Sequence, residues 1–580
     1  MNVDRMKGFL WGLLFLTGGN LGVAMDTKWE PRDLFLKPLV EAVPEILESQ
    51  DEEGRFGTDP WICRDQHQIF PLAAAWTLEN AANPYAKDDK ILKAIMDGGD
   101  VLIREADNKG MWTFRKKDNS TWGQIYMPWT YSRWIRAFCL IKDAMPAERR
   151  ERWEKALLRG YEGISKTCLA HVHNIPAHHA MGLYFAGRCL DREDWRKQAA
   201  DFMGKVVAEQ HRDGYWSEHF GPVVAYNFVY TDSLGTYFSA SGDQSVLNAL
   251  RKGALFHANF TYPNGTCVET IDERNGYSSS IRLGNVGFTF TPEGRGYLLR
   301  QAKLHLAQGK TFSPDFCASM LLYGEAGDAV APPGGLERSR FVLGDGDALI
   351  LREAPWFLCL SAFTCTPPES RWIQDRQNYL SLYHDDVGVF LGGGNTKLQP
   401  LLSSFTVGDT SLLKHEPGDE NPDFLPEIDL LWTAQDAQLG GDPKRPILTL
   451  NYGKERCVLA VELGEGNTAK LIVSAPRGSG ALVEAHLPFL RGFGAVEAES
   501  GEAAELGETP FEWTAQEAGG AFSYGDLSVS MPQGSRLVWP VLPHNPYKKD
   551  GATDYRSGRL VLTVPFSPER RDQVVELAVQ

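Results

Sequence analysis

The chain has 580 residues, more than one hydrophobic core organises, so two or three domains are expected. With 43% hydrophobic and 23% charged residues it has an ordinary globular composition, which excludes a disordered or fibrous protein. The formal net charge of −16 argues against nucleic acid and against a broadly basic surface, leaving attraction of an acidic ligand to a few placed Arg, Lys and His side chains.

In chain order, residues 1–24 read as a secretory signal. Lys7 is the positive start, the apolar run from Phe9 to Thr17 is too short to span a bilayer, and Gly22 and Ala24 suit cleavage before Met25. An exported protein, periplasmic or secreted and free of the membrane once the signal is removed, is the expectation. Residues 25–330 then read as helical. Apolar residues recur at three- and four-residue spacing in Leu34–Leu47, Ile69–Leu78, Ile91–Ile103, Trp129–Ile141, Trp153–Leu169, Ala180–Leu190, Trp195–Val207, Tyr226–Ser239, Val246–Ala258 and Gly296–Leu306. Loops of one type recur between them, at 50–61, 107–124, 211–222 and 262–277, each with an acidic or Asn residue, a Gly and an aromatic or β-branched residue. Five to seven helical hairpins arranged in a ring, an α/α toroid whether complete or incomplete, would put these loops on one rim.

The segment APPGG at 331–335 reads as a linker. Beyond it, short alternating runs such as Ala348–Leu351, Phe357–Phe363, Tyr379–Tyr383, Ile447–Tyr452 and Leu560–Val564 are divided by Gly and Pro. They predict an antiparallel β-sandwich over 331–580, with a smaller piece after about residue 490. The nine Cys form no CxxC pair; they read mostly as buried small hydrophobes, Cys359 and Cys365 being the close pair.

Polar groups with proton-transfer chemistry gather in four places. HVHNIPAHH at 171–179 carries Asn174, His178 and His179 at a helix start marked by Pro176. DGYWSEHFGPVVAYNFVY at 213–230 carries Trp216, Glu218, His219, Tyr226 and Tyr230. DERNGYSSSIR at 272–282 carries Arg274 and Arg282, and RWIQDRQNYLSLYH at 371–384 carries Arg376. Trp129, Arg133, Trp122 and Gln124 would extend the rim, with Arg64 and His67. No cysteine or histidine spacing of a metal site is present, and neither metal nor organic cofactor is expected.

The order Asn, Asp-Gly-x-x-x-x-His, Val-Ala-Tyr-x-x-x-Tyr, an Arg-bearing loop and then a sandwich resembles the toroid-plus-sandwich polysaccharide lyases: hyaluronate and chondroitin lyases, heparinase II/III-like enzymes, and alginate and glucuronan lyases. The resemblance implies that Asn174, His219 and Arg274 or Arg282 neutralise a uronate carboxylate, that Tyr230 is the acid/base with Tyr226 one turn before it, and that the substrate is an acidic polysaccharide cleaved by β-elimination. The charge balance favours a carboxylate-only polymer such as glucuronan or alginate. Here the stretch from His to Tyr is longer by Gly221-Pro222, and Ile175 follows Asn174, so His178 and His179 stand beside His219 as candidates. Two other readings remain open. A toroid glycoside hydrolase would pair Asp213 or Glu218 with Asp232, Glu269 or Asp272; a non-catalytic carbohydrate-binding protein would bind without scission.

Overall fold

In the computed structural model, residues 28–57, 65–115, 121–414, 418–464, 466–475 and 480–580 are described; the leader read at 1–24, and Arg64, lie outside them. Eleven α-helices occupy the N-terminal half of the described residues: α1 (Pro31–Glu48), α2 (Ile69–Thr77), α3 (Asp89–Glu105), α4 (Pro128–Ile141), α5 (Ala147–Thr167), α6 (Asn174–Cys189), α7 (Glu193–Ala208), α8 (Val224–Ser241), α9 (Leu247–Asn259), α10 (Pro292–Ala307) and α11 (Pro314–Tyr323). The inner elements follow one another around a ring, α2 on α4, α4 on α6, α6 on α8 and α8 on the 3-10 turn Val286–Phe290, and α11 closes the circle against that turn and α2. The other helices pack outside, as in a toroid.

Local chemistry accounts for these helices. Asp88 caps α3 by accepting from Lys90 N and Ile91 N, and Ile91, Ile95 and Leu102 turn one face inward. Gly99 lets α5 approach, because a Cβ there would meet Trp153 Cζ2 at 1.9 Å. Inner helix α2, IFPLAAAWT, is apolar all round and buried over its first eight residues. The 107–124 stretch, expected as a loop, instead forms the hairpin Trp112–Arg115 with Thr121–Ile125 after an Asp107 turn that binds Lys109 N and Met111 N. Helix α11, ten residues long, has no counterpart in the sequence reading.

From Arg338 the chain forms two antiparallel sheets of eleven and nine strands facing one core. Arg445–Tyr452 alternates exposed or half-buried with buried residues, the signature of a sheet with one wet face. Trp356–Ser361 and Leu380–His384 are buried at every position, because the outer face of their sheet lies against the toroid. There Phe256, Phe260, Tyr262 and Ile271 of the toroid pack on Ile350, Phe357, Cys359 and Tyr383 of the sheet. Each large side chain fully buried this way contributes about 1.5–3 kcal/mol.

Two expectations need correction. The strands after residue 490 form no separate piece: Arg559–Pro565 pairs with Val483–Phe489 in one sheet and Asp572–Val579 with Thr468–Ser474 in the other. Among the cysteines, Cys139 and Cys189 are joined as a disulfide with Cα atoms 5.7 Å apart, tying α4 to α6, whereas Cys359 and Cys365 are free thiols. A distance of 50 residues in sequence hid the bridge.

Candidate active site

The 213–222 loop is fixed to the first turns of α8. Gly214 has φ 97°, and a Cβ there would meet Lys252 O at 2.0 Å, so glycine is required. Asn227 clamps Trp216 from both sides, accepting from its N–H at 2.7 Å and donating to its carbonyl at 3.1 Å. Asp272 joins this loop to the next, accepting from Val224 N at the start of α8 and from Arg274 N and Asn275 N. Its burial raises its pKa to about 6, against the pull of those N–H groups.

At the start of α6, the Asn174 amide donates to Glu218 Oε2 at 2.9 Å, and the Tyr230 hydroxyl donates to Glu218 Oε1 at 2.9 Å. The amide has a second N–H to offer, and no side chain caps the helix, whose N-terminus favours an anion. Burial pushes the Glu218 carboxyl up, partly offset by those two donors. Next to it His219 is half exposed, with Nδ1 3.0 Å from Glu273 Oε1. Glu273 is buried; its other oxygen accepts from Phe220 N at 2.8 Å and faces Arg376 at 3.6 Å. A carboxylate on Nδ1 selects the tautomer whose Nε2 carries the lone pair. His173 stands nearby, its ring 6.2 Å from that of His219.

Arg274 gathers the remaining groups. Its guanidinium lies 5.1 Å from the Tyr226 ring, 5.2 Å from Trp372 and 5.8 Å from Tyr547, and Nε donates to the Tyr547 hydroxyl at 3.4 Å. Tyr226 is half-buried; burial raises its phenol pKa, Arg274 pulls it down, and Tyr547, which shares a hydrogen bond with it, and then Glu218 push it up again. Trp122 on the hairpin meets Trp372 edge-on at 5.3 Å, so an aromatic line crosses from the toroid to the sandwich. Trp372, Tyr547 and Glu273 were not singled out in the sequence; only the polar run around residue 374 hinted at the first.

Several expected site residues face elsewhere. Tyr230 is fully buried, its ring stacked on Trp216 at 4.8 Å and its hydroxyl spent on Glu218; burial first, then Glu218, pushes its pKa well up. Trp216 is likewise in the core, donating from Nε1 to Val206 O, and offers no face to a sugar. His178 is held at 2.8 Å from Ser132 Oγ inside the ring, and His179 is buried with a pKa lowered to about 3, so neither competes with His219. Arg376 crosses the domain interface as expected but is buried there, donating to Ile271 O at 2.6 Å. Arg133 is bound through two nitrogens to Asp315 of α11, and Trp129 lies against His178. Gln124 is exposed on the hairpin, bonded to Thr113 Oγ1. Arg282 belongs to the rim of an adjoining cavity of about 780 Å³, which Arg274 and Tyr547 also line.

The carboxylates of the hydrolase reading are all engaged. Asp213 accepts from Gly344 N, Glu269 from Gly393 N and Tyr262 Oη, Glu218 and Asp272 as above, and Asp232 is set beside Arg136 and Arg133. Among the described residues no group of three or more His, Cys, Asp or Glu is placed to hold a metal ion.

No protein-family model and no curated protein matches the sequence. Among solved structures the chain is similar to a chondroitin AC lyase from Streptomyces coelicolor, at 13% identity and a TM-score of 0.51, over 96% of this chain and 81% of that one. It also aligns with a heparan sulfate lyase from Pedobacter heparinus, at 11% identity and TM-score 0.47 over 90% and 75%, and with a heparinase III, at 12% and 0.46 over 89% and 77%. The first likeness establishes the fold: this is the toroid-plus-sandwich architecture of the polysaccharide lyases.

Proposed function

We propose that this chain, built on the toroid-plus-sandwich fold of polysaccharide lyases, is itself a carbon–oxygen lyase that cleaves a uronate-containing polysaccharide by β-elimination. The observation that carries the reading is the convergence of Asn174, a Glu273-held His219, and Tyr226 beneath Arg274 where the toroid loops meet the sandwich. Loss of the C5 proton of a uronate places negative charge on its carboxylate. The second N–H of Asn174, the α6 N-terminus and Arg274 are donors suited to that charge. Where the C5 hydrogen and the leaving O4 lie on opposite faces of the sugar, His219 Nε2 takes the proton and Tyr226 gives one to O4. Where they share a face, Tyr226 does both. Either way the C5–H and C4–O bonds break, a C4–C5 double bond forms, and no water is consumed.

This assignment moves the acid/base role expected of Tyr230 to Tyr226, because a buried phenol donating to a buried carboxylate does not reach a sugar. The acidic chain as a whole favours a carboxylate-only polymer of the glucuronan or alginate kind. Export is supported by the Cys139–Cys189 disulfide, which suits an oxidising compartment, and no helix among the described residues is long and apolar enough to cross a membrane.

The test is to incubate the purified protein with glucuronan, alginate, hyaluronan and chondroitin. Release of ultraviolet-absorbing unsaturated ends supports the lyase. New reducing ends without that absorbance would transfer the reading to hydrolysis, and binding without scission to a carbohydrate-binding protein.

A further inference from the structure

The cavity of about 780 Å³ next to the Tyr226 cluster is walled on one side by the 264–282 rim loop of the toroid and on the other by sandwich segments 387–396, 490–493 and 543–559. Five arginines line it: Arg274, Arg282, Arg491, Arg556 and Arg559. That is a local excess of positive charge on a chain of net charge −16. The two carboxylates in its wall, Glu269 and Asp272, are buried and turned onto backbone N–H groups, so they do not cancel it at the surface. Arg559 is spent on Gly393 O and Gly394 O, and Arg556 on Asp554.

Arg282 and Arg491 are different. The exposed Arg282 guanidinium makes no hydrogen bond or ion pair with a described residue. Arg491 is exposed; its Nε donates to Leu506 O at 3.0 Å and its guanidinium lies 5.3 Å from the Tyr555 ring, and its two terminal nitrogens make no hydrogen bond or ion pair with a described residue. The exposed Ser278, Ser279 and Ser280 and the half-buried Asn264 and Asn545 line the same cavity, with hydroxyls and amides of the kind a sugar hydroxyl needs. The volume falls within the roughly 300–1,000 Å³ of small-ligand sites. Arg274 and Tyr547 line the cavity, and the same Arg274 guanidinium lies 5.1 Å from the Tyr226 ring, so the cavity adjoins the Tyr226 cluster.

We propose that this cavity is a second anion-binding subsite, in which Arg282 and Arg491 grip an acidic saccharide unit of the same polymer chain whose neighbouring uronate lies at Tyr226. The proposal rests on the lyase reading for what passes Tyr226, but not for what the cavity holds. A planar guanidinium matches a carboxylate through two N–H groups. Two of them, contributed by different domains, select a chain that is acidic at more than one unit.

The test uses the full chain carrying Tyr226→Phe, titrated calorimetrically with octasaccharides of oligoglucuronate, oligomannuronate and hyaluronan. At least one is expected to bind, with an affinity that falls as salt is added. Adding Arg282→Gln and Arg491→Gln should weaken that binding at least tenfold and flatten its salt dependence, with the melting temperature unchanged. In the otherwise unsubstituted protein the same pair should act on KM rather than kcat. Binding unaffected by the pair, or no binding of any of the three probes, overturns the proposal even where the polymers are cleaved. Binding that depends on the pair, in a protein that cleaves none of the polymers, leaves the subsite standing and removes the lyase.

Discussion

Glu273 decides what His219 can do. Its carboxylate serves His219 Nδ1, Phe220 N and Arg376 at once, so a glutamine there offers one acceptor where three donors converge. Glu273→Gln is expected to lower kcat roughly a hundredfold or more, the range of a misplaced general base, as measured by the rate of unsaturated product formation. Asn174→Ala should cost about 10²–10³ in kcat, the scale for removal of one donor to a developing oxyanion. Asn174, His219 and Arg274 were legible in the sequence because each stands beside a Pro, Gly or Asp that marks a rim. Glu273 was hidden as one acid in a polar run. The two tyrosines are indistinguishable by spacing, since residues four apart share a helix face; the packing of Trp216 over Tyr230 and the bond from Tyr230 to Glu218 separate them.

At the scale of elements, the helical periodicity was readable because each outer helix has one wet face. What joins the elements was not readable. Gly235 of α8 meets the Val286–Phe290 turn so closely that a Cβ would lie 2.3 Å from Gly287 Cα, a backbone contact that closes the ring. Gly235→Ala should therefore destabilise by about 1–3 kcal/mol or more, seen as a lower midpoint in denaturant. Gly204, in α7 with nothing within 4 Å of its Cβ position, is the counterpart: Gly204→Ala should stabilise by about 0.5–1 kcal/mol. Equal effects at the two positions would contradict this picture of the ring.

Across the whole molecule, the change of texture near residue 335 was plain in sequence, and the continuous apolar run Trp356–Ser361 foreshadows a sheet covered on both faces. The same burial governs the response to acid. His257 is buried against Phe228, ring centroids 3.7 Å apart, with its pKa lowered to about 3 chiefly by burial. An imidazole lowered on folding contributes stability that is complete above its unfolded value of about 6.5 and is lost as pH falls toward 3. His257→Phe should remove that loss: relative to its value at pH 7.5, the stability of the variant against the parent should improve by roughly 2–3 kcal/mol at pH 4.5, read from denaturant unfolding. The domain interface sets the chemistry as well, since Arg376, Trp372 and Tyr547 reach the toroid loops from the sandwich. Elimination on Tyr226, and not on Tyr230, is what the proposed function requires. It is tested most directly by comparing Tyr226→Phe with Tyr230→Phe on whichever uronate polymer the protein cleaves, following unsaturated product in both. Tyr226→Phe is expected to lose about 10²–10⁴ in kcat with the melting temperature kept, while Tyr230→Phe melts earlier and still turns over. Full activity in Tyr226→Phe together with a dead, well-folded Tyr230→Phe would contradict it.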